Sequence, residues 1–271
     1  MQASAGGAAE RSVRLPREEL LHGANAPEAM EELVKLAEDV LRTWQPAWSG
    51  FVSGPVREEA LIRLSSLSEL TWQSVGGYPG SERQRLLCHR SDDRPDLQIP
   101  IHGLLIEGNF LFDPLSSRDL RQALLEMDAR EDDLGDLWVR GDRGGQGLCT
   151  PACSEALDGR SGRVRDVEIR CEALPIDQLQ LPAQRSVRVM QTVEASCRLD
   201  AIASAGFGVS RAKVVDLVKQ GRLRVNWQSV NQPSRDLVPG DRLHLEGRGN
   251  VEVLTISRTK RDRWRVELRR S

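Results

Sequence analysis

The order of secondary structure predicted between residues 97 and 171 constrains the fold more than any other feature of the chain. Apolar alternation between turn clusters predicts strands, and apolar residues at helical spacing predict a helix after Ser116 or Ser117. The predicted elements are a strand (97–107), this helix, two strands (136–140 and 146–150), a helix (151–157) and a strand (164–171). This is the element order of the ferredoxin-like fold, which RNA-recognition domains also adopt.

The residues before this segment predict a helical domain. Pro27, where the first turn of a helix tolerates proline, precedes apolar residues at helical spacing as far as Trp44. A second helix is predicted over residues 55–70. We expect a flexible tail over residues 1–24 and the helical domain over residues 25–92.

The C-terminal segment predicts two short helices followed by strands. Ser196 and Gly206 are the predicted start and end of the first helix, and Ser210 and Gly221 those of the second. Alternating apolar residues around tight turns predict the strands. The chain is therefore predicted to be α+β. Its predicted domains are the helical domain (25–92), a ferredoxin-like, RNA-recognition-type middle domain (93–185) and a two-helix plus β domain with a C-terminal β-hairpin (190–271).

Charge is divided unevenly along the chain. Residues 196–271 contain 16 Lys and Arg against 8 Asp and Glu, a net charge of +8, within a chain whose overall net charge is −2. Residues 1–195 therefore carry a net charge of −10. A basic segment of this kind is typical of a module that binds a polyanion. The alternative is a solvated basic face without a ligand.

The first turn of the helix after Ser210 carries two cations, Arg211 and Lys213. Free backbone N–H groups already make this end of a helix positive, so each cation there costs about 0.3–1 kcal/mol. A capping box would need Glu or Gln at position 213. Free N–H groups and two cations together form a phosphate site. The alternative is a solvated helix end. Nearby basic residues that would extend the phosphate site are Arg198, Lys219, Arg222 and Arg224.

Four motifs in this segment resemble the ribosomal-protein-S4-type RNA-binding domain in order and spacing. They are RLD at 198–200, SRAK at 210–213, GRLRVN at 221–226 and PGD at 239–241. The resemblance implies that the basic residues named above, with Ser210, Asn226 and Trp227, form an RNA-binding site. Many S4 domains have Gly after the residue matching Asn226, whereas this chain has Trp227, whose indole we expect to pack or to stack.

Three further segments resemble the YlmH-type S4 proteins, so that the resemblance covers residues 25–271. They are GGYPGSER at 76–83, SRDL at 117–120 and DDLGD at 132–136. Within that group the chain is most similar to the cyanobacterial branch named photosystem II S4 domain protein. The resemblance implies a non-catalytic, cytoplasmic protein that binds structured RNA, ribosomal or transfer RNA at the large ribosomal subunit, in ribosome quality control or, by the branch name, in a photosystem II-related role.

Enzyme motifs are weak, and we predict no catalytic residue, metal or cofactor. Cys149 and Cys153 have no second Cys or His pair at the spacing of zinc ligands, and the adjacent Cys88 and His89 lack an orienting partner in the sequence. Two other function classes remain. One is an RNA-modifying enzyme, pseudouridine synthase-like or methyltransferase-like, with a cryptic site in the middle domain. The other is a protein-interaction module whose basic surface meets an acidic partner.

The sequence also limits the role of the middle domain and the setting of the protein. Its predicted strands at 97–107 and 146–150 contain no aromatic residue on which a base could stack. Trp138 lies on a neighbouring strand, and we expect it in the core.

No apolar run approaches the ~18 residues of a membrane span. Five scattered cysteines are typical of a reduced cytoplasmic protein, and we expect a monomer.

Overall fold

The computed structural model describes residues 14–183, 187–245 and 248–271. It divides the chain into two compact units, Met1–Pro182 and Ala183–Ser271. The greater part of the predicted tail, residues 1–13, lies outside the described residues. No helix among the described residues has the length and apolar character needed to cross a bilayer.

The first unit begins with three helices and an antiparallel three-stranded sheet of order β1-β3-β2. Their bounds are α1 (Arg17–Leu21), α2 (Pro27–Thr43), β1 (Ala47–Val52), α3 (Gly54–Leu64), β2 (Leu70–Val75) and β3 (Gln84–Arg90). Both predicted helices are present, although α3 ends at Leu64 and not at the predicted residue 70; α1 lies within the predicted tail, and its Leu20 is buried. Helix α2 starts at Pro27 and buries one apolar face that includes Met30, Leu33 and Val34. The sheet adds three strands that the sequence did not predict. In β3, four successive residues are buried, so the chain shows no alternation there.

The second part of the first unit is ferredoxin-like, as predicted. Its elements are β4 (His102–Gly108), α4 (Ser117–Glu126), β5 (Leu134–Val139), β6 (Gly144–Cys149), α5 (Pro151–Leu157), β7 (Ser161–Val164) and β8 (Val167–Leu174). The antiparallel sheet has the order β5-β6-β4-β8-β7, which is the ferredoxin-like order with β7 added at one edge. Ser116 caps α4 in a reciprocal capping box with Asp119. Leu104 and Ile106 of β4 are buried in the same core as Leu120 of α4.

Two of the motifs found in the sequence, GGYPGSER at 76–83 and DDLGD at 132–136, hold this unit together. The carboxylate of Asp136 accepts hydrogen bonds from the Tyr78 hydroxyl (2.7 Å), the Glu82 amide (2.8 Å) and the Arg83 amide (2.9 Å). A Cβ at Gly135 would lie 2.8 Å from the Phe51 ring, so only glycine fits there. The Arg83 guanidinium donates to three backbone carbonyls, those of Phe51, Glu131 and Leu134. These motif residues are therefore structural.

The face of the middle sheet opposite helices α4 and α5 is covered by the chain itself. Leu148 of β6 is fully buried there in a cluster with Phe51 and Leu179. Trp138 packs edge-on against Tyr78, with ring centroids 6.0 Å apart, and its indole N–H donates to the carbonyl of Gln180. RNA-recognition domains use this kind of sheet face to stack bases. Here its central part is occupied by protein.

The second unit places two helices on one face of a six-stranded sheet. Its elements are β9 (Arg188–Glu194), α6 (Leu199–Phe207), α7 (Arg211–Lys219), β10 (Leu223–Val225), β11 (Gln228–Ser229), β12 (Arg242–Leu245), β13 (Gly249–Arg258) and β14 (Trp264–Arg270). The antiparallel order is β11-β10-β12-β13-β14-β9. Apolar residues of both helices and of the central strands form one core, which includes Phe207, Val214 and Val251.

The predicted bounds of α6 are wrong at both ends. Arg198, not Ser196, is the N-cap, and it makes no side-chain capping bond. The helix ends at Gly208, which adopts the left-handed conformation. Gly206 lies inside the helix, where a Cβ would come within 2.7 Å of the Val251 side chain. Its role is to let the helix approach the sheet closely.

Candidate nucleic-acid interface

The first turn of α7 presents free backbone N–H groups and a cation to solvent. The Ser210 hydroxyl caps the helix by accepting from the Lys213 amide at 3.2 Å, as predicted. No acidic residue lies in the first turn. The ammonium of Lys213 is exposed, and it makes no ion pair or side-chain hydrogen bond with any residue that the structure describes. Its charge is therefore available to an external anion.

Arg211 differs from Lys213 because it has a partner in the protein. Its guanidinium forms an ion pair with the Glu194 carboxylate at 2.9 Å, and Glu194 also accepts from the Thr192 hydroxyl. Arg211 is half exposed, so such a pair is worth about 0–1 kcal/mol. The Glu194 carboxylate therefore offsets the unfavourable helix-dipole interaction of Arg211, which the sequence did not predict. The Arg211 guanidinium can still bind a phosphate if the phosphate replaces the Glu194 carboxylate as its partner.

Of the four remaining basic residues of the predicted site, three are exposed and one, Arg224, is partly buried. Arg198, at the N-cap of α6, is ion-paired with Asp200 at 3.2 Å. Lys219 lies in the last turn of α7, where a cation interacts favourably with the helix dipole. Arg222 is exposed in the turn that follows, and Arg224 lies on β10 with its side chain on the face opposite the core. Arg198, Lys219 and Arg222 are exposed, so these side chains are placed to meet a large ligand rather than to enclose a small one.

Asn226 and Trp227 form the two-residue turn between β10 and β11. Both have positive φ, 50° and 66°, as a type I′ hairpin turn requires. The Asn226 amide donates to Asp241 Oδ1 at 2.7 Å and accepts from the Arg242 amide at 2.9 Å. Asp241 Oδ2 in turn accepts from the Val238 amide at 2.9 Å. The side chain of Asn226 thus fastens two turns together.

Trp227 keeps its ring on the surface side of this turn. The indole lies against the His244 imidazole, with centroids 4.8 Å apart and planes tilted by 38°, and it is partly exposed. Left-handed backbone costs a non-glycine residue of order 1 kcal/mol or more, which glycine would avoid. The indole therefore packs, as expected, and its contact is the His244 ring. The partly exposed ring also offers an aromatic surface for a base.

Three of the four buried cysteines of the first unit are poor nucleophiles. Burial raises the pKa of Cys88 to about 12 and that of Cys171 to about 11. A hydrogen bond with Cys153, together with burial, also raises the pKa of Cys149, and the same hydrogen bond lowers the pKa of Cys153. The thiols of Cys88, Cys149 and Cys171 stay protonated at neutral pH, when the thiolate would be the reactive form. Among the described residues, no group of three or more His, Cys, Asp or Glu side chains is arranged to hold a metal ion.

Comparison with known proteins finds one family match in each of the two units. Residues 25–93 match the family described as YlmH, N-terminal, and residues 197–243 match the S4 domain family. The chain therefore has a segment similar to the YlmH N-terminal domain, followed by an S4 domain. It is 26% identical over 220 residues to the Ribosome-associated protein quality control protein P2 of Bacillus subtilis (strain 168), covering 80% of this chain and 84% of that protein.

A solved structure, the Cell division protein ylmH from Streptococcus pneumoniae, is also similar to this chain. It is 15% identical and has a TM-score of 0.45, with 58% of this chain and 96% of that chain covered. That score is too low to establish a shared fold.

Sequence reasoning missed Glu194, the internal partner of Arg211, because it lies on β9, outside the S4 motifs. It also missed the structural role of Asp241, whose only signal was the tight-turn motif at 239–241. The basic residues at the tip of the β13–β14 hairpin were counted only within the net charge. The structure places these basic residues in and beside the loop that joins β13 to β14.

Proposed function

We propose that this protein is a non-catalytic RNA-binding protein whose basic second unit contacts structured RNA, ribosomal or transfer RNA at the large ribosomal subunit. The exposed cation at the capped N-terminus of α7, with no internal ion pair among the described residues, is the observation that carries the proposal. The S4 match over residues 197–243 and the ribosome-associated relative support it. Ribosome quality control in the cytoplasm, by a monomer, is the setting we propose.

The site would hold RNA mainly by its phosphates. Lys213 and the free N–H groups of α7 suit a phosphate oxygen, and Arg211 could leave Glu194 for a second one. Arg198, Lys219 and Arg222 would continue the contact along the backbone. Because phosphate contacts carry no sequence information, selectivity must come from RNA shape and from a base stacked on Trp227. Asn226 would act indirectly, by fixing the turn that holds this ring.

The first unit supports a division of labour between the two units. The central part of its ferredoxin-like sheet is covered on the face where related folds stack bases. Its thiols at Cys88, Cys149 and Cys171 have raised pKa values and remain protonated at neutral pH, which favours a structural role over a nucleophilic one. We propose that the YlmH-type domain and the middle domain, at the predicted bounds 25–92 and 93–185, position the S4 domain without reading RNA. The photosystem II-related role remains a prediction from sequence resemblance alone.

The proposal is tested by crosslinking the full-length protein to RNA in cells and sequencing the RNA recovered with it. We expect enrichment of ribosomal or transfer RNA over a control in which Lys213 is replaced by Glu. Recovery no richer in these RNAs than an unrelated basic protein of equal abundance would contradict the ribosomal assignment. A covalent change at the bound nucleotide that depends on the protein would contradict the non-catalytic assignment.

A further inference from the structure

The hairpin formed by β13 and β14 extends beyond the residues that match the S4 family, which end at 243. Strand β13 pairs with β12 only as far as Glu252, and Val253 bonds to Asp241 just beyond. From Thr255 onward its paired neighbour among the described strands is β14 alone. The hairpin tip therefore projects past the central part of the sheet.

The loop at the tip, residues 259–263, is ordered by its own hydrogen bonds. The Thr259 amide donates to the Arg263 carbonyl at 2.8 Å, and the Thr259 hydroxyl accepts from the Arg263 amide at 3.1 Å. Asp262 adopts positive φ, which Asp tolerates better than most residues. The tip thus holds its side chains on a defined turn.

This tip is strongly basic. Arg258 is ion-paired with Asp262 at 3.2 Å and its guanidinium lies over the Trp264 ring, 5.2 Å from the centroid. The other cations of the tip are exposed and make no side-chain ion pair with the residues that the structure describes. They are Lys260, Arg261, Arg263 and Arg265. No exposed large apolar residue interrupts them.

The tip lies at the same end of the sheet as the first turn of α7. Trp264 is the cross-strand neighbour of Arg258 on one side and of Glu194 on the other. Glu194 is the residue that binds Arg211. A short chain of contacts therefore links the base of the hairpin to the α7 phosphate site.

We propose that the β13–β14 tip is a second RNA contact, in which Lys260, Arg261 and Arg263 bind backbone phosphates of the RNA held by the S4 helices. This inference rests on the proposed function. Guanidinium groups bind phosphate oxygens in a bidentate manner, and a narrow projecting hairpin can bring several cations against a phosphate backbone. An acidic protein partner would more often require apolar contacts beside the charges, and this tip presents none.

The test compares two triple variants of the full-length protein. One carries K260Q, R261Q and R263Q, and the matched control carries R118Q, R143Q and R163Q, three exposed arginines of the first unit that make no side-chain ion pair with described residues. Binding is measured against salt with a labelled RNA stem-loop and with purified large ribosomal subunits. Thermal melting confirms that each variant folds. We expect the tip variant to flatten the plot of log affinity against log salt by about 2 to 3 and to weaken binding by about two orders of magnitude near 0.1 M salt.

Each other outcome overturns part of the account. If K213Q weakens binding but the tip variant behaves like the control variant, the hairpin contact is refuted and the proposed function stands. If the wild-type protein binds neither RNA probe, the proposed function itself fails. If polyglutamate binds as tightly as RNA and is lost equally in the tip variant, the surface is a general acidic-partner site and the RNA assignment is wrong.

Discussion

Replacing Lys213 by Gln should make the second unit more stable and yet weaken RNA binding. Lys213 occupies the third position of α7, where its cation opposes the helix dipole and no acidic residue lies in the first turn. Gln at this position completes a capping box with Ser210, whose hydroxyl already accepts from the residue 213 amide. Since Lys213 has no ion pair with the described residues, its removal sacrifices no such contact. The expected gain is about 0.3–1 kcal/mol in the free energy of unfolding, measured in urea.

The effect of the same change on RNA binding has the opposite sign. The loss of one phosphate contact flattens the plot of log affinity against log salt by about 0.7–0.9, which corresponds to a loss of about five- to eightfold in affinity at 0.1 M salt. The loss should be similar for RNAs of different sequence, because phosphate contacts do not read bases. A gain in stability with unaltered affinity and salt slope would refute the site and leave a merely solvated helix end.

Two further variants make this measurement specific. R118Q removes the same charge from an exposed position on α4 and should change neither affinity nor salt slope. R211Q removes a cation that is paired with Glu194, which contributes about 0–1 kcal/mol, and that also opposes the helix dipole, which costs about 0.3–1 kcal/mol. These two contributions offset each other, so R211Q should weaken binding with little change in stability, whereas a change at Lys213 should raise stability while it weakens binding.

Other predictions concern the turns, the thiols and the two units. N226A should destabilise the protein by about 1–3 kcal/mol in urea unfolding, because it removes the hydrogen bond to Oδ1 of the buried Asp241 carboxylate, whose Oδ2 keeps only the Val238 amide. An unchanged unfolding midpoint would contradict this. Burial raises the pKa of Cys88 to about 12, so the buried neutral thiol contributes to stability below pH 9, and this contribution is lost as the pH rises toward 12. Because little thiolate is present at pH 8, alkylation of Cys88 should be far slower in the folded than in the urea-unfolded protein. A fragment of residues 183–271 should bind an RNA stem-loop in a filter assay and a fragment of residues 1–182 should not, and equal affinity would refute the division of labour.

Elements with local signals could be predicted from the sequence. The capping residue Ser116 and the apolar spacing after it located α4, and Ser210 located α7 in the same way. Helix α5 begins at Pro151, whose fixed φ suits a first turn, and was predicted at its observed bounds. These signals depend on interactions between residues within one or two helical turns, so they can be recognised without the tertiary structure.

Elements defined by long-range packing could not be predicted. Strand β3 pairs with β1 and β2, and its buried residues, including Leu86 and Cys88, give it no alternation to recognise. Gly206 carries the local signal of a helix end, but close packing against Val251 explains it instead. In each case a contact distant in sequence overrides the local preference.

The candidate site shows the same limit. Motif and charge placed Lys213 and Ser210 at the start of α7, where the structure also has them. The partner of Arg211 came from β9, 17 residues earlier in the chain, and no periodicity links the two. Asn226 is predicted to contact RNA, and the structure adds that both ends of its amide group form hydrogen bonds within the fold. Residue types at a site can be inferred from sequence, but which of them remain available to a ligand depends on the packing.

The central claim, that RNA is bound by the second unit, is tested most directly by mapping crosslinks within the full-length protein. RNA–peptide crosslinks formed on large ribosomal subunits are digested and located by mass spectrometry. The account predicts crosslinked peptides from residues 198–227 and from the hairpin tip at 258–265. Crosslinks confined to residues 14–182, with none in the second unit, would contradict it.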